Sequence, residues 1–322
     1  MSLPCPSPLT PADDWRPAIR DAAARIAGDV RRTPLWRLPG RALGIDVAEV
    51  WLKLEQLQLS GSFKARGMFN RMRSLPLPAA GVVVASGGNA GIAVATAARA
   101  LGVPCEVFLP EVATPAKRAA LAALGATVTV QGAVYVEALA ACVARQRQTG
   151  ALLMHAYDQD EVVIGAGTLA AEIEADAGAL PERLLVSVGG GGLIAGIAAW
   201  CAGRCRVEAL EPERAPTLHA AWGAGGPVDV PVGGVAADSL GAQRIGAIAW
   251  SVCRQHVAAC HLLPDEAIRT AQQRIWRELR LAVEPAAALG LAALWTGAVR
   301  PAPAERVAVV LCGANFDPTG LA

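Results

Sequence analysis

Lysine is scarce in this chain. Among 29 basic residues only Lys53, Lys64 and Lys117 are lysines, so each asks for a reason. Lys64 stands in Gly61-Ser62-Phe63-Lys64-Ala65-Arg66-Gly67, a turn after the apolar segment Trp51 to Leu54. An arbitrary lysine is a solvated surface charge. One that is desolvated beside an aromatic ring and a phosphate site is the type of amine that forms a Schiff base. Four glycines, Gly189 to Gly192, follow an apolar strand and precede the helical run Leu193 to Trp200. Such a run is either a plain turn or a cradle in which backbone N–H groups and a helix N-terminus converge on a phosphate. It lacks the GxxxxGKS/T pattern of a nucleotide loop and the acidic residue of a Rossmann ribose site. A second turn, Ser86-Gly87-Gly88-Asn89-Ala90-Gly91, is either a tight connection or a site for a carboxylate or phenolic oxygen. A further cluster, Val309-Val310-Leu311-Cys312-Gly313-Ala314-Asn315, is a strand ending in a thiol and another turn.

The elements that must hold these residues follow one grammar. Val82 to Ala85 reads as a strand, then the Ser86 turn, then Ile92 to Leu101 as an Ala-rich helix. Cys105 to Leu109 and Thr127 to Val130 read as strands, each followed by a helix, Ala116 to Leu124 and Val134 to Gln148. Leu184 to Val188, Val207 to Leu210 and Val307 to Leu311 are further apolar strands. Alternating strands and helices predict an α/β protein with mostly parallel sheets covered on both faces, with ligands beyond the carboxyl ends of the strands. Two long uncharged runs, Ser74 to Ala98 and Leu184 to Gly203, have the length of a membrane span, but each breaks at its glycine turn and reads better as strand, loop and helix. The stretch Trp222 to Gly234 is expected to be a long functional loop.

Composition narrows the function further. At 322 residues the chain has room for two domains, and a net charge of +1 gives nucleic acid no electrostatic footprint. Eight cysteines lack paired metal-type spacing and read as buried free thiols. Met1 to Arg16 does not have the pattern of a secretory signal, so a cytoplasmic setting is expected. His155, His219, His256 and His261 have no partner spacing and are assigned no role.

Taken together, Lys53-Leu54-Glu55, the Gly61 to Gly67 turn, the Ser86 to Gly91 turn, Ser187-Val188 with Gly189 to Gly192 and Leu193, Val283-Glu284-Pro285-Ala286 and Cys312-Gly313-Ala314-Asn315 resemble the serine/threonine dehydratases. These are pyridoxal-phosphate enzymes of the tryptophan synthase β-like fold, fold type II. The resemblance runs from Arg32-Thr33-Pro34-Leu35 almost to the C-terminus. It implies two domains, a large one from residues 1–65 and 148–322 and a small one from residues 66–147 closing over the site. It implies that Lys64 holds the cofactor as a Schiff base and then serves as general base on the substrate Cα. By the same resemblance Phe63 packs near the pyridine ring, and Gly189, Gly190, Gly191 and Gly192, with Leu193, take the phosphate. Asn89 meets the 3′ oxygen, Cys312 the ring nitrogen, and Glu284 forms a wall near the cofactor. Ser62, Ser86, Gly88 and Asn89 bracket the substrate carboxylate.

The family's reaction would convert L-serine or L-threonine to a 2-oxo acid and ammonia. A thiol at the ring nitrogen makes a weaker electron sink than a carboxylate partner would, which favours prompt expulsion of a β-hydroxyl. Racemases of this family carry a serine where this chain has Gly87, so racemisation is disfavoured, and Ala90 with Cys312 brings the pattern nearest to animal-type serine dehydratases. Glu211 matches the carboxylate of the family's cation site, with Gly189 and Ala215 lending backbone oxygens. Thr217 in place of a further acid points to potassium or a similar monovalent ion. The resemblance also implies a homodimer. With the chain ending soon after Asn315, no regulatory domain is expected. Other readings are β-replacement on the same fold, dehydration of another β-hydroxy amino acid, and a non-catalytic protein that binds pyridoxal phosphate. Gly233 to Ala242 is expected to form part of the substrate pocket wall.

Overall fold

The computed structural model describes residues 14–321, so the signal reading of the first thirteen residues and the start of the expected large domain lie outside the described residues. Two sheets organise the chain. The larger has the order β1 (Leu35–Pro39), β2 (Glu49–Lys53), β10 (Arg306–Val310), β7 (Arg183–Ser187), β8 (Arg206–Pro212) and β9 (Val257–Leu263). The smaller has the order β5 (Thr127–Val130), β4 (Cys105–Leu109), β3 (Val82–Ala85) and β6 (Leu152–Met154). Only the β1–β2 pair is antiparallel, and every other pairing of these strands is parallel. The central strands are buried on both faces and accordingly read as continuous apolar runs rather than alternating ones.

Eleven helices cover these sheets among the described residues: α1 (Arg16–Ile26), α2 (Lys64–Ser74), α3 (Asn89–Leu101), α4 (Pro115–Ala123), α5 (Tyr135–Thr149), α6 (Asp160–Ala177), α7 (Gly192–Cys201), α8 (Thr217–Ala224), α9 (Ala247–His256), α10 (Asp265–Leu279) and α11 (Pro285–Trp295). No described helix is long and apolar enough to cross a membrane. The smaller sheet takes in β6, so it reaches Met154, past the limit at residue 147 expected for the small unit. The expected loop Trp222 to Gly234 is also corrected: Trp222 to Ala224 complete α8, and the irregular segment runs from Gly225 to Gly246.

Helix α6 is the axle that fixes the site-bearing helices. A Cβ on Gly67 of α2 would lie 2.7 Å from the Val162 carbonyl, and one on Gly196 of α7 would lie 2.3 Å from the Val163 carbonyl. Only glycine lets these backbones approach so closely. Beside this crossing, buried charges tie four segments together. Lys53 Nζ donates to Glu172 Oε1 at 2.6 Å and to the Thr33 carbonyl at 2.8 Å. Arg66 forks onto Glu55 at 2.7 and 2.8 Å and reaches Glu172 at 3.0 Å. Arg66 belongs to the same helix that Lys64 begins, so this network sets the lysine's position from behind.

Candidate active site

Lys64 is the first residue of α2 rather than part of the preceding turn, which ends at Phe63. That turn is stitched to the chain's other end. Ser62 bridges Gly313, the Phe63 N–H donates to the Cys312 carbonyl at 3.0 Å, and the Ala314 N–H donates to the Gly61 carbonyl at 2.9 Å. Lys64 Nζ donates to the Ala156 carbonyl at 2.6 Å and lies 5.0 Å from the centroid of the Phe63 ring. Burial pushes its pKa down to about 8, against the opposite pull of Cys312 and Glu284. At neutral pH this amine is far closer to its neutral, nucleophilic form than a solvated lysine is.

A polar cluster faces it. The Asn89 amide, on the first residue of α3, donates to both Glu284 oxygens at 3.0 Å. Asn315 Nδ2 donates in turn to Asn89 Oδ1 at 2.6 Å and to the Ser60 carbonyl at 2.8 Å. Burial raises Glu284 to about 7, opposed by the Asn89 hydrogen bond and reinforced by Asp238. Cys312 Sγ lies 3.9 Å from Glu284 Oε1, and burial together with that carboxylate pushes the thiol well above its usual range, so it keeps its proton. Ser62 Oγ is fully buried and has no protein partner.

The glycine run closes the other side. Gly191 (φ +86°) caps α7, and Gly192 starts it. A Cβ on Gly190 would lie 2.2 Å from the Tyr157 ring, so the ring rests directly on the turn. Leu193 follows, buried in α7, while Ser86 and Gly88 sit in the turn that opens α3. The structure therefore brings together the lysine, both glycine turns, Asn89, Glu284 and Cys312. Sequence reading missed Ala156, whose contribution is a backbone carbonyl and leaves no side-chain signal. It also missed Tyr157, one of two tyrosines in the chain, and the bridging position of Asn315.

The expected cation residues also meet, but around a protein hydroxyl. Glu211 accepts the N–H groups of Leu218 and His219 at 2.8 and 2.9 Å and the Cys260 thiol at 3.3 Å. Thr217 Oγ1 lies 2.9 Å from Glu211 Oε1 and 2.6 Å from the Gly189 carbonyl, and the Ala215 carbonyl takes the Thr217 N–H. Burial raises Glu211, while the donors at the start of α8 offset part of that cost. These donors satisfy the carboxylate without a cation. No cluster of three or more His, Cys, Asp or Glu residues suited to a metal occurs among the described residues.

Residues 26–313 match the family described as pyridoxal-phosphate dependent enzymes. The chain belongs to this family. It is 35% identical to a phenylserine dehydratase from Ralstonia pickettii over 93% of each chain. It is 37% identical to an L-threonine ammonia-lyase from Geobacter sulfurreducens, over 93% of this chain and 75% of the relative. Maize serine racemase superposes with a TM-score of 0.88 at 30% identity, covering 95% of each chain. The family membership and the α/β architecture thus agree with the resemblance read from the motifs, and the chain is a pyridoxal-phosphate enzyme of the dehydratase type. Its residues fit the cofactor on their own geometry. A glycine cradle without room for side chains lies at a helix N-terminus, a desolvated lysine stands opposite, and Ser62 offers a buried hydroxyl without a partner.

Proposed function

We propose that this enzyme removes water and then ammonia from L-serine and L-threonine, yielding pyruvate and 2-oxobutyrate. The observation that carries the reading is Lys64, a half-buried amine hydrogen-bonded to a carbonyl and to no carboxylate, between an aromatic ring and a glycine cradle. When bound, pyridoxal phosphate supplies the electron sink that acidifies the substrate Cα–H.

The chain's own residues do the rest. Lys64 Nζ would hold the cofactor when it is bound, and the free amine would accept the substrate Cα proton. Gly189 to Gly192 and Leu193 bind phosphate through N–H groups at the start of α7. Asn89, whose amide is held by Glu284 and Asn315, would contribute a hydrogen bond to the cofactor's 3′ oxygen, and Phe63 would wall the ring. Cys312 remains a thiol and so leaves the ring nitrogen without a carboxylate partner. Ser62, Ser86 and Gly88, with Asn89, bracket the substrate carboxylate. The Cα–H and Cβ–OH bonds break, water leaves, and the resulting enamine hydrolyses to the 2-oxo acid and ammonia. Gly87 offers no side chain to reprotonate Cα, which favours elimination over racemisation. The unit built on the smaller sheet closes over the site, and the protein works as a cytoplasmic homodimer. A potassium ion at Glu211, Gly189 and Ala215 would have to share the Thr217 hydroxyl.

A second reading, an aryl-serine substrate, draws support from the phenylserine dehydratase relative. One assay separates these: 2-oxo acid and ammonia release from L-serine, L-threonine, their D-isomers and threo-phenylserine, with Lys64→Ala as control. Release from the L-amino acids, abolished in the variant, is the expected outcome. Release from phenylserine alone would replace the substrate, and a yellow protein with no release from any of them would overturn the dehydratase reading.

A further inference from the structure

Lys117 lies on α4, beside the smaller sheet, and its Nζ pairs with Asp238 in the segment between α8 and α9. The two residues come from different sheets' surroundings, 121 positions apart in sequence. Their packing against the site is specific. A Cβ on Gly87 would meet Leu109 Cδ2 at 3.0 Å and Lys117 Cδ at 3.8 Å, so the lysine stem roofs the turn at that point. A Cβ on Gly88 would lie 3.5 Å from the Asp238 carbonyl.

The same segment also lies along the other glycine turn. Leu240 Cα is 3.1 Å from where a Gly189 Cβ would be, Ile245 packs on Gly191, and the Gly246 N–H donates to the Gly190 carbonyl at 3.1 Å. Ala236 to Leu240 is held by its own turn hydrogen bonds, with the N–H of Leu240 on the Ala236 carbonyl at 2.8 Å. It therefore spans the gap between the two glycine turns. On the cradle side it is fixed by backbone and apolar contact, and on the Ser86 side a single ion pair clasps it.

Building on the site reading above, we propose that Lys117 and Asp238 are positioning residues: their ion pair clasps the Ala236–Leu240 segment over the cleft and retains the bound amino acid. Neither touches reacting atoms. The pair is partly solvated, with side-chain exposures of 34% and 65%, so its contribution is modest and screened by salt. That suits a clasp which must open at each turnover.

The test uses the cofactor-loaded enzyme and the variants Lys117→Met, Asp238→Asn and the swap Lys117→Asp with Asp238→Lys. Each single variant is expected to raise KM about two- to fivefold with kcat within twofold, to lose the rise of KM with salt, and to keep the visible spectrum. The swap should restore much of the lost KM. Independently of turnover, amide hydrogen exchange at Ala236 to Leu240 should quicken by a similar factor in the single variants. That readout stays informative if no amino acid is turned over, so failure of the clasp and failure of the dehydratase reading are distinguishable. Unchanged exchange in both single variants would overturn the proposal, as would a fall in kcat at constant KM.

Discussion

Two of the three lysines sit within one short stretch of chain, Lys53 fully buried and Lys64 half-buried, and their surroundings are opposite. Lys53, on β2, has no exposed surface and spends its charge on Glu172, Asp176 and the Thr33 carbonyl. Lys64 has only the Ala156 carbonyl and an aromatic face. Around Lys53 the charges balance. Although burial works against ionisation of Glu172, Arg66 and Lys53 hold its carboxyl below the usual range. Around Lys64 the nearest acids are Glu284, occupied by Asn89 and itself pushed up by burial, and a protonated thiol. The difference teaches that burial alone does not make a lysine reactive. The fold has to withhold the counter-charge.

Exchanging each lysine for an uncharged residue should therefore break different things. Lys64→Ala is expected to lower 2-oxo acid formation by at least about 10³-fold, in the range lost with a positioned acid–base group, while the urea midpoint stays near wild type. Lys53→Met should do the reverse. It leaves Glu172 with Arg66 and the Thr33 N–H as its remaining close partners and costs about 3 kcal/mol in urea unfolding, with activity per folded molecule retained. A Lys53 variant that folded normally but lost turnover would erase the distinction between the two sites.

Much of this contrast was legible in the residues. The types at positions 61–67, 86–91, 189–192 and 312–315 carried the site because each does something only that residue type can do: an amine, an amide, a thiol, or a backbone without Cβ. The helix α6 and its pairing with α2 and α7 were not legible as the axle. That role rests on glycine contacts between helices distant in sequence, and glycine in a helix gives no local signal of what it touches. Strands β1, β6 and β9 were missed and β2 was read only as an apolar segment: β1 and β9 are partly buried and interrupted by Arg37 and His261, and β6 has only three residues. The bridging of Lys64 to Ala156 was invisible for a simpler reason, since any residue supplies a carbonyl.

Glu284 gives a smaller test, on the pH axis. Its folded pKa is raised from 4.5 to about 7, so the protonated acid is the form the fold prefers. Its favourable contribution is present below about 4.5 and is lost as pH rises through about 7. Glu284→Gln removes that ionisation while keeping an acceptor for Asn89. The stability of the variant relative to wild type should therefore climb between pH 4.5 and 7, by on the order of 2 kcal/mol in apoprotein denaturation. A flat difference across that window would mean that Glu284 is ionised throughout, and Lys64 would then have a counter-charge after all.

The smallest effect concerns the aromatic face beside Lys64. Competitive acylation of apoprotein, followed by mass spectrometry, should give a labelling midpoint near pH 8 for Lys64, with Lys53 scarcely labelled. The Phe63 ring, 5.0 Å away, presents negative π density that favours the ammonium form and so works against burial. Phe63→Leu keeps the apolar bulk and removes that density, so the midpoint should fall by about half a unit. If it rises instead, water has entered where the ring stood, and exclusion of solvent is the ring's contribution. If it does not move, the ring contributes neither charge stabilisation nor exclusion, and the lowered pKa of Lys64 belongs to the rest of its enclosure.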